Sequence, residues 1–216
     1  MNKNDLKLYA ITDRQWLRGA RLSEHVKLAI EGGATMIQIR DKDILSTDSD
    51  AGLKDEYNEA LEIKRICHEH KVPLIINDNV QFAIDIDADG VHLGQDDMNP
   101  AEARKLLGTD KIIGVTAKTV EQAKKAQADG ADYLGSGAVF GSTTKLNAKP
   151  MTKELLREIT AAVDIPVVAI GGINADNAST LKGTGIAGIA VVGAIFASAD
   201  IKAAARKLAE ICDNML

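Results

Sequence analysis

The stretch Val72–Asp97, VPLIINDNVQFAIDIDADGVHLGQDD, holds the reading that decides the fold. Leu74–Asn77 and Gly90–Leu93 are short runs that are apolar on both faces, as strands covered on both sides require. Between them Val80–Ile86 has helical period. Pro73 stands at the mouth of the first run, where no ladder donor is yet needed. The segment is therefore a strand–helix–strand unit.

The same alternation runs outward to both ends of the chain. Further strands are predicted at Leu8–Thr12, Met36–Arg40, Ile112–Thr116, Tyr133–Ser136, Val167–Ile170 and Gly188–Val192. Helices are predicted at Leu22–Glu31, Leu53–His70, Pro100–Leu107, Val120–Asp129, Thr152–Ala162 and Asn177–Lys182, with Asp200–Cys212 closing the series. The steps Gly33-Ala34, Gly130-Ala131 and Gly185-Ile186 read as helix C-caps, where glycine accepts the left-handed conformation. Eight units share 216 residues, or 27 residues each. This predicts an α/β protein, a single-domain (β/α)8 TIM barrel over residues 1–216. A doubly wound open sheet competes, but no G-x-G-x-x-G follows the first strand. The polar stretch Asp41–Asp55 reads as a long loop after the second strand.

Composition narrows the class. Apolar residues make up 45% and charged residues 26%, which excludes disorder and fibrous structure. No apolar run is long enough for a bilayer span, and the N-terminus lacks a signal-peptide core. Cys67 and Cys212 offer neither zinc spacing nor a disulfide framework, which fits a reducing cytoplasm. A net charge of −5 and 3% aromatic residues argue against nucleic acid as a partner. A homo-oligomer is compatible with the pattern.

In a barrel, function belongs just past the C-terminal strand ends. Those positions carry Gln38, Arg40 and Lys42 after strand two, Asn77 and Asp78 after strand three, and His92 to Asp97 at strand four. Thr116 ends strand five, and Ser142, Thr143, Thr144 and Lys145 follow strand six. Gly171-Gly172 and Val192-Gly193 end strands seven and eight. Period-two alternation points Gln38, Arg40 and Lys42 towards the mouth.

Each has a plainer reading alone. Asp78 or Asp97 would serve as a helix N-cap, Arg40 as a surface ion pair, Gly171-Gly172 as a tight turn, and His92 as a hydrogen-bonded core histidine rather than a general base. Their concentration on one rim suggests phosphate handling. Amides around Gly171-Gly172 and Val192-Gly193 would form a phosphate cup, with Ser142, Thr144 and Lys145 as added donors. Two carboxylates from adjacent strands, with phosphate oxygens and water, suit Mg2+. Arg40, Lys42 and Lys145 would neutralise the rest of a diphosphate.

The strings Tyr9-Ala10-Ile11-Thr12-Asp13, Gln38-Ile39-Arg40-x-Lys42, Leu74-Ile75-Ile76-Asn77-Asp78 and Gly90-Val91-His92-Leu93-Gly94-Gln95-x-Asp97 resemble the thiamine-phosphate synthase family. So do Ala131-Asp132-Tyr133-Leu134-Gly135, Thr144-Lys145 and Val168-Ala169-Ile170-Gly171-Gly172-Ile173. These motifs run in order through nearly the whole chain.

The resemblance implies joining 4-amino-2-methyl-5-hydroxymethylpyrimidine diphosphate to 4-methyl-5-(2-phosphoethyl)thiazole, a transferase reaction releasing diphosphate. It implies that Gln38, Arg40, Lys42, Asn77 and Lys145 bind the pyrimidine diphosphate, with Thr116 in place of the usual serine. By the same resemblance Asp78 and Asp97 ligate Mg2+, while Ser142, Thr143, Thr144, Gly172, Val192 and Gly193 bind the thiazole phosphate. The sequence departs from the family pattern at Lys118, where histidine is common, and at Ala138 and Gly141, where proline is. It departs again at Ser142 for threonine and Gly193 for serine.

A thiazole tautomerase-like paralogue would need a base at the thiazole site and no metal–diphosphate apparatus, so retention of Asp78, Asp97, Arg40, Lys42 and Lys145 argues against it. A non-catalytic phosphate-ligand sensor would need a partner-binding module that the chain does not display. A phosphosugar isomerase would need an acid–base pair in place of two adjacent metal carboxylates.

Overall fold

The structure, a computed structural model, describes residues 1–40, 50–141 and 150–216. Eight parallel strands form it: β1 (Leu8–Ile11), β2 (Met36–Ile39), β3 (Leu74–Asn77), β4 (Gly90–Leu93), β5 (Ile112–Thr116), β6 (Tyr133–Gly137), β7 (Val167–Ile170) and β8 (Gly188–Val191). Each pairs with its sequence neighbours, and β8 closes on β1 with Ala190 beside Tyr9. The sheet is a closed barrel, which removes the open-sheet alternative.

Helices on the outside are α1 (Leu22–Glu31), α2 (Asp50–Glu69), α3 (Val80–Asp85), α4 (Pro100–Leu107), α5 (Val120–Ala128), α6 (Lys153–Ala161), α7 (Gly193–Phe196) and α8 (Ile201–Met215). Among the described residues no helix is long and apolar enough to cross a membrane. Gly33 and Gly130 have positive φ at the helix ends where C-caps are predicted; Gly185 also has positive φ, but the turn before it ends at Leu181 with Lys182 as its cap, so Gly185 serves the connection to β8.

The strands explain why they read as apolar on both faces. Their outward residues, such as Leu8, Ala10, Ile37, Ile39, Val91 and Leu93, pack against the helices in one large core. Their inward residues, including Tyr9, Met36, Ile75, Ile112, Tyr133 and Val168, fill the barrel interior as a second core. Alternation then carries the inward face of β2 from Met36 to Gln38, of β3 from Ile75 to Asn77, and of β5 from Ile112 to Thr116. The polar rim is the continuation of the interior positions.

Two interior aromatic rings need space, and neighbouring strands supply it. A Cβ added to Gly114 on β5 would lie 2.1 Å from Cζ of Tyr133, and one on Gly135 would lie 3.1 Å from Cε1 of His92. Gly114→Ala is therefore expected to push the Tyr133 ring out of place and cost about 1–3 kcal/mol. A thermal melt would show this as a Tm lower by roughly 2–12 °C. An unchanged melt would mean the ring has room to retreat.

Some predicted elements are revised. Helix α2 begins at Asp50, inside the stretch Asp41–Asp55 assigned above to a loop. The predicted helix Asn177–Lys182 is a short 3-10 turn over Ala178–Leu181. Short helical turns at Lys3–Leu6 and Arg14–Trp16, and α7, have no counterpart in the sequence reading.

Candidate active site

Strands β3 and β4 each end in Asx pairs that divide two tasks. Asn79 caps α3, its side chain accepting from Phe82 N at 2.9 Å, and Asn99 caps α4 by accepting from Ala101 N at 2.9 Å. The cap reading of Asp78 and Asp97 is thereby overturned: asparagines one and two residues downstream, respectively, take the orphan helix amides. Asp78 has a left-handed backbone, φ 61°, a conformation aspartate tolerates better than most side chains. Its carboxylate comes within hydrogen-bonding reach of Asp97. Asn77 Nδ2 donates to Asp78 Oδ2 at 2.6 Å, and Gly94 N donates to Asp97 Oδ2 at 2.6 Å.

Partial burial, the shared hydrogen bond and the negative charge of Asp97 push Asp78 up to about 6. Asn77 and the Arg40 guanidinium pull in the opposite direction and are outweighed. Two carboxylates this close, uncommitted to capping and disfavoured together as anions, form a donor set that fits a hard divalent cation. Among the described residues no group of three or more histidine, cysteine or acidic side chains is arranged to hold a metal ion. Any such cation would thus need water or substrate oxygens to complete its shell.

Next to this pair the barrel mouth is lined by a continuous polar chain. Gln38, 2% exposed, donates from Nε2 to the Tyr9 hydroxyl at 2.5 Å. Tyr9 and Tyr133 share a hydroxyl–hydroxyl bond of 2.8 Å with their rings edge to face. His92 sets Nδ1 3.0 Å from the Tyr133 hydroxyl and Nε2 3.0 Å from Thr116 Oγ1. The core-histidine reading of His92 therefore holds, in a polar setting. Tyr9 and Tyr133 were not singled out in the sequence. The signal available for Tyr133 was glycine at the inward position 114 of the adjoining strand; Tyr9 had none.

Burial pushes the His92 imidazole down to about 4, with the Asp97 charge opposing weakly. The unfolded chain then takes up this proton first, so stability falls as pH drops from about 6.5 through about 4 and is complete above 6.5. Denaturant unfolding at pH 4.5, 5.5 and 7.5 is expected to show an acid loss of at most about 3 kcal/mol from this group. The loss should be absent in His92→Asn; equal acid slopes in both proteins would contradict it.

Other predicted residues fall into place around the mouth. Thr12 Oγ1 accepts from Arg40 N at 3.0 Å, which anchors the backbone where Arg40 leaves β2. Gln95 Nε2 donates to the Thr116 carbonyl at 2.6 Å, tying the β4 and β5 ends together. Gly171 and Gly172 have φ of 100° and 67°. A Cβ there would meet Ala138 Cβ at 2.4 Å and the Phe140 carbonyl oxygen at 2.7 Å. Val192 caps α7, which starts at Gly193, and a Cβ at Gly193 would touch only Ala197 Cβ, at 3.9 Å. The serine common in the family would fit there. At Gly141 φ is 79°, which proline cannot adopt, so this loop takes its own path. Lys118 is exposed beyond β5. Lys42, Ser142, Thr143, Thr144 and Lys145 lie outside the described residues.

These features define a (β/α)8 barrel that gathers paired carboxylates and glycine turns at the carboxyl ends of its strands, the end where such barrels carry their chemistry. Residues 8–195 match the family model described as thiamine monophosphate synthase. The chain is 49% identical to the thiamine-phosphate synthase of Ruminiclostridium cellulolyticum, over 99% of this chain and 98% of that protein. It is 47% identical to that of Clostridium tetani, over 96% of each chain. The solved structure of the thiamine phosphate pyrophosphorylase from Pyrococcus furiosus superposes with a TM-score of 0.87 at 39% identity, covering 99% of this chain and 98% of its own. The chain belongs to the thiamine monophosphate synthase family.

Proposed function

We propose that the protein condenses 4-amino-2-methyl-5-hydroxymethylpyrimidine diphosphate with 4-methyl-5-(2-phosphoethyl)thiazole to give thiamine phosphate and diphosphate. The observation that carries this reading is the Asp78–Asp97 pair beside Arg40. Two carboxylates that cap no helix, with the Arg40 charge close enough to be felt at Asp78, support a reading in which a diphosphate and its metal bind on this side of the mouth. Asp78 and Asp97 would hold Mg2+, which would offer positive charge to the departing diphosphate. Arg40, with Lys42 and Lys145, would bind the same group. A unit charge pair near 4 Å is worth up to about 4 kcal/mol at an effective dielectric of 20, before desolvation.

Gln38, Asn77 and Thr116 would hold the pyrimidine end. Ser142, Thr143 and Thr144 with Gly172, Val192 and Gly193 would hold the thiazole phosphate, so that remote binding energy aims the thiazole nitrogen at the pyrimidine methylene. The methylene C–O bond breaks with its electron pair leaving on diphosphate, and the thiazole nitrogen pair forms the new C–N bond. We favour a dissociative path, because the electron-rich aminopyrimidine supports a cation and no protein nucleophile is called for. Both cysteines are buried, and burial pushes their thiols up to about 12, which suits an enzyme of the reducing cytoplasm.

The test is formation of thiamine phosphate from the two substrates, with and without Mg2+. Metal-dependent product is expected. Product that ignores the metal would remove the Asp78–Asp97 assignment and keep the reaction. Absence of product from folded protein that still binds the thiazole phosphate would favour the tautomerase or sensor.

A further inference from the structure

The polar chain Gln38–Tyr9–Tyr133–His92–Thr116 crosses the barrel interior through five strands, and every link in it has a direction. Gln38 Nε2 can only donate, so the Tyr9 oxygen accepts. Tyr9 is 1% exposed, and its own proton has one acceptor in reach, the Tyr133 hydroxyl oxygen. The Tyr133 proton then goes to His92 Nδ1, the remaining partner of that hydroxyl. An imidazole accepting at Nδ1 and carrying one proton bears it on Nε2, which donates to Thr116 Oγ1. The Thr116 hydroxyl proton is thereby left free to point away from His92, and Gln38 Oε1 is left as the accepting end of the amide.

A chain of this kind has two self-consistent polarities, the one above and its reverse with the Gln38 amide turned over, and reversing any link reverses all of them, since a mismatched link would leave two donors or two acceptors facing each other in a buried place. We infer that Tyr133 and His92 are positioning residues that couple the Gln38 amide to the Thr116 hydroxyl, so that the mouth presents an acceptor at β2 and a donor at β5 as one unit. Such a mouth suits a ligand that offers an N–H to Gln38 and a lone pair to Thr116. An aminopyrimidine has both, through its exocyclic amine and its ring nitrogens. A keto analogue carries a carbonyl in place of the amine and would oppose the Gln38 oxygen. The inference rests on the proposed reaction for the identity of that ligand, and on the interior geometry alone for the coupling.

The two parts are tested separately. Nitrogen-15 NMR of histidine-labelled protein, with the His92 signal identified by its loss in His92→Asn, is expected to show the tautomer protonated at Nε2 without substrate. The tautomer protonated at Nδ1, or an even mixture, would overturn the polarity whatever reaction the protein performs. Thr116→Val is then compared in wild-type and Tyr133→Phe backgrounds, each checked by thermal melt. In the wild type it is expected to raise KM for the pyrimidine diphosphate about tenfold with little change in KM for the thiazole phosphate. In the Tyr133→Phe background, with the chain already cut, the further change should be less than twofold. Equal effects in both backgrounds would show that the two ends act independently and would overturn the coupling. Absence of product in the wild type would count against the proposed reaction, while the tautomer result would still stand on its own.

Discussion

Asp97→Ala is expected to lower the rate of thiamine phosphate formation by roughly 1,000-fold, the scale seen when a preorganised charge-stabilising group is removed from a reacting centre. The loss should fall on kcat and on KM for the pyrimidine diphosphate, with KM for the thiazole phosphate little changed. Asp97 Oδ2 also accepts from Gly94 N, so alanine removes a loop contact as well as a charge. Asp97→Asn separates the two, because its amide oxygen can still accept from Gly94. If Asp97→Asn keeps wild-type turnover, the charge at this position is dispensable and the carboxylate pair is not the diphosphate site. Removing the Asp97 charge also relieves Asp78, whose proton affinity should fall towards that of an ordinary carboxylate. Above pH 6, where the pair is repelling, the metal-free Asp97→Asn protein is expected to melt at or above the wild-type temperature. A melt well below wild type would show that the carboxylate serves the fold.

Gly171→Ala is expected to cost about 3–5 kcal/mol of stability and to raise KM for the thiazole phosphate at least tenfold. Two independent costs meet at this position. The backbone has φ of 100°, outside the region an L side chain adopts with ease. The added methyl would also lie 2.4–2.5 Å from Ala138 Cβ and Cα, and the latter is backbone that cannot simply rotate away. The β6 loop is held onto this turn by Val139 N to the Ile170 carbonyl at 3.0 Å and Phe140 N to the Gly171 carbonyl at 3.0 Å. Prising the two apart should spoil the part of the mouth proposed for the thiazole phosphate and spare the part proposed for the pyrimidine. Chemical denaturation and substrate-by-substrate KM values test both halves. A protein that loses stability and keeps its thiazole KM would show that the glycine serves only the turn.

Why so much of the barrel was legible lies in its two cores. A strand buried outward by helices and inward by its opposite strands has no polar residue until it reaches the rim, so runs such as LIIN and GVHL mark their own ends. Six helices start within a residue of their predicted positions, five of them capped by Asn, Asp or Thr side chains; α1, which follows Arg21, lacks such a bond. The start of α2 was hidden because Asp50–Asp55 is polar and resembles loop. The turn at Ala178–Leu181 is too short for helical period to separate it from an α-helix. At the site, Asp78, Asp97, Gln38 and Thr116 were visible as polar residues interrupting apolar runs. Tyr9 and Tyr133 were not, since a tyrosine in a two-faced apolar strand is indistinguishable from packing until its hydroxyl finds a partner.

The capping of α3 and α4 by Asn79 and Asn99 has a practical side. Because the carboxylates next to them hold up no helix, chemistry and architecture can be edited independently at this rim. On the proposed reaction, a double exchange of Asp78 and Asp97 for asparagine should leave an intact barrel that no longer turns over its substrates but keeps the other residues proposed to bind them. Such a protein would be a natural starting point for a reporter of the thiazole phosphate, reading its concentration without consuming it.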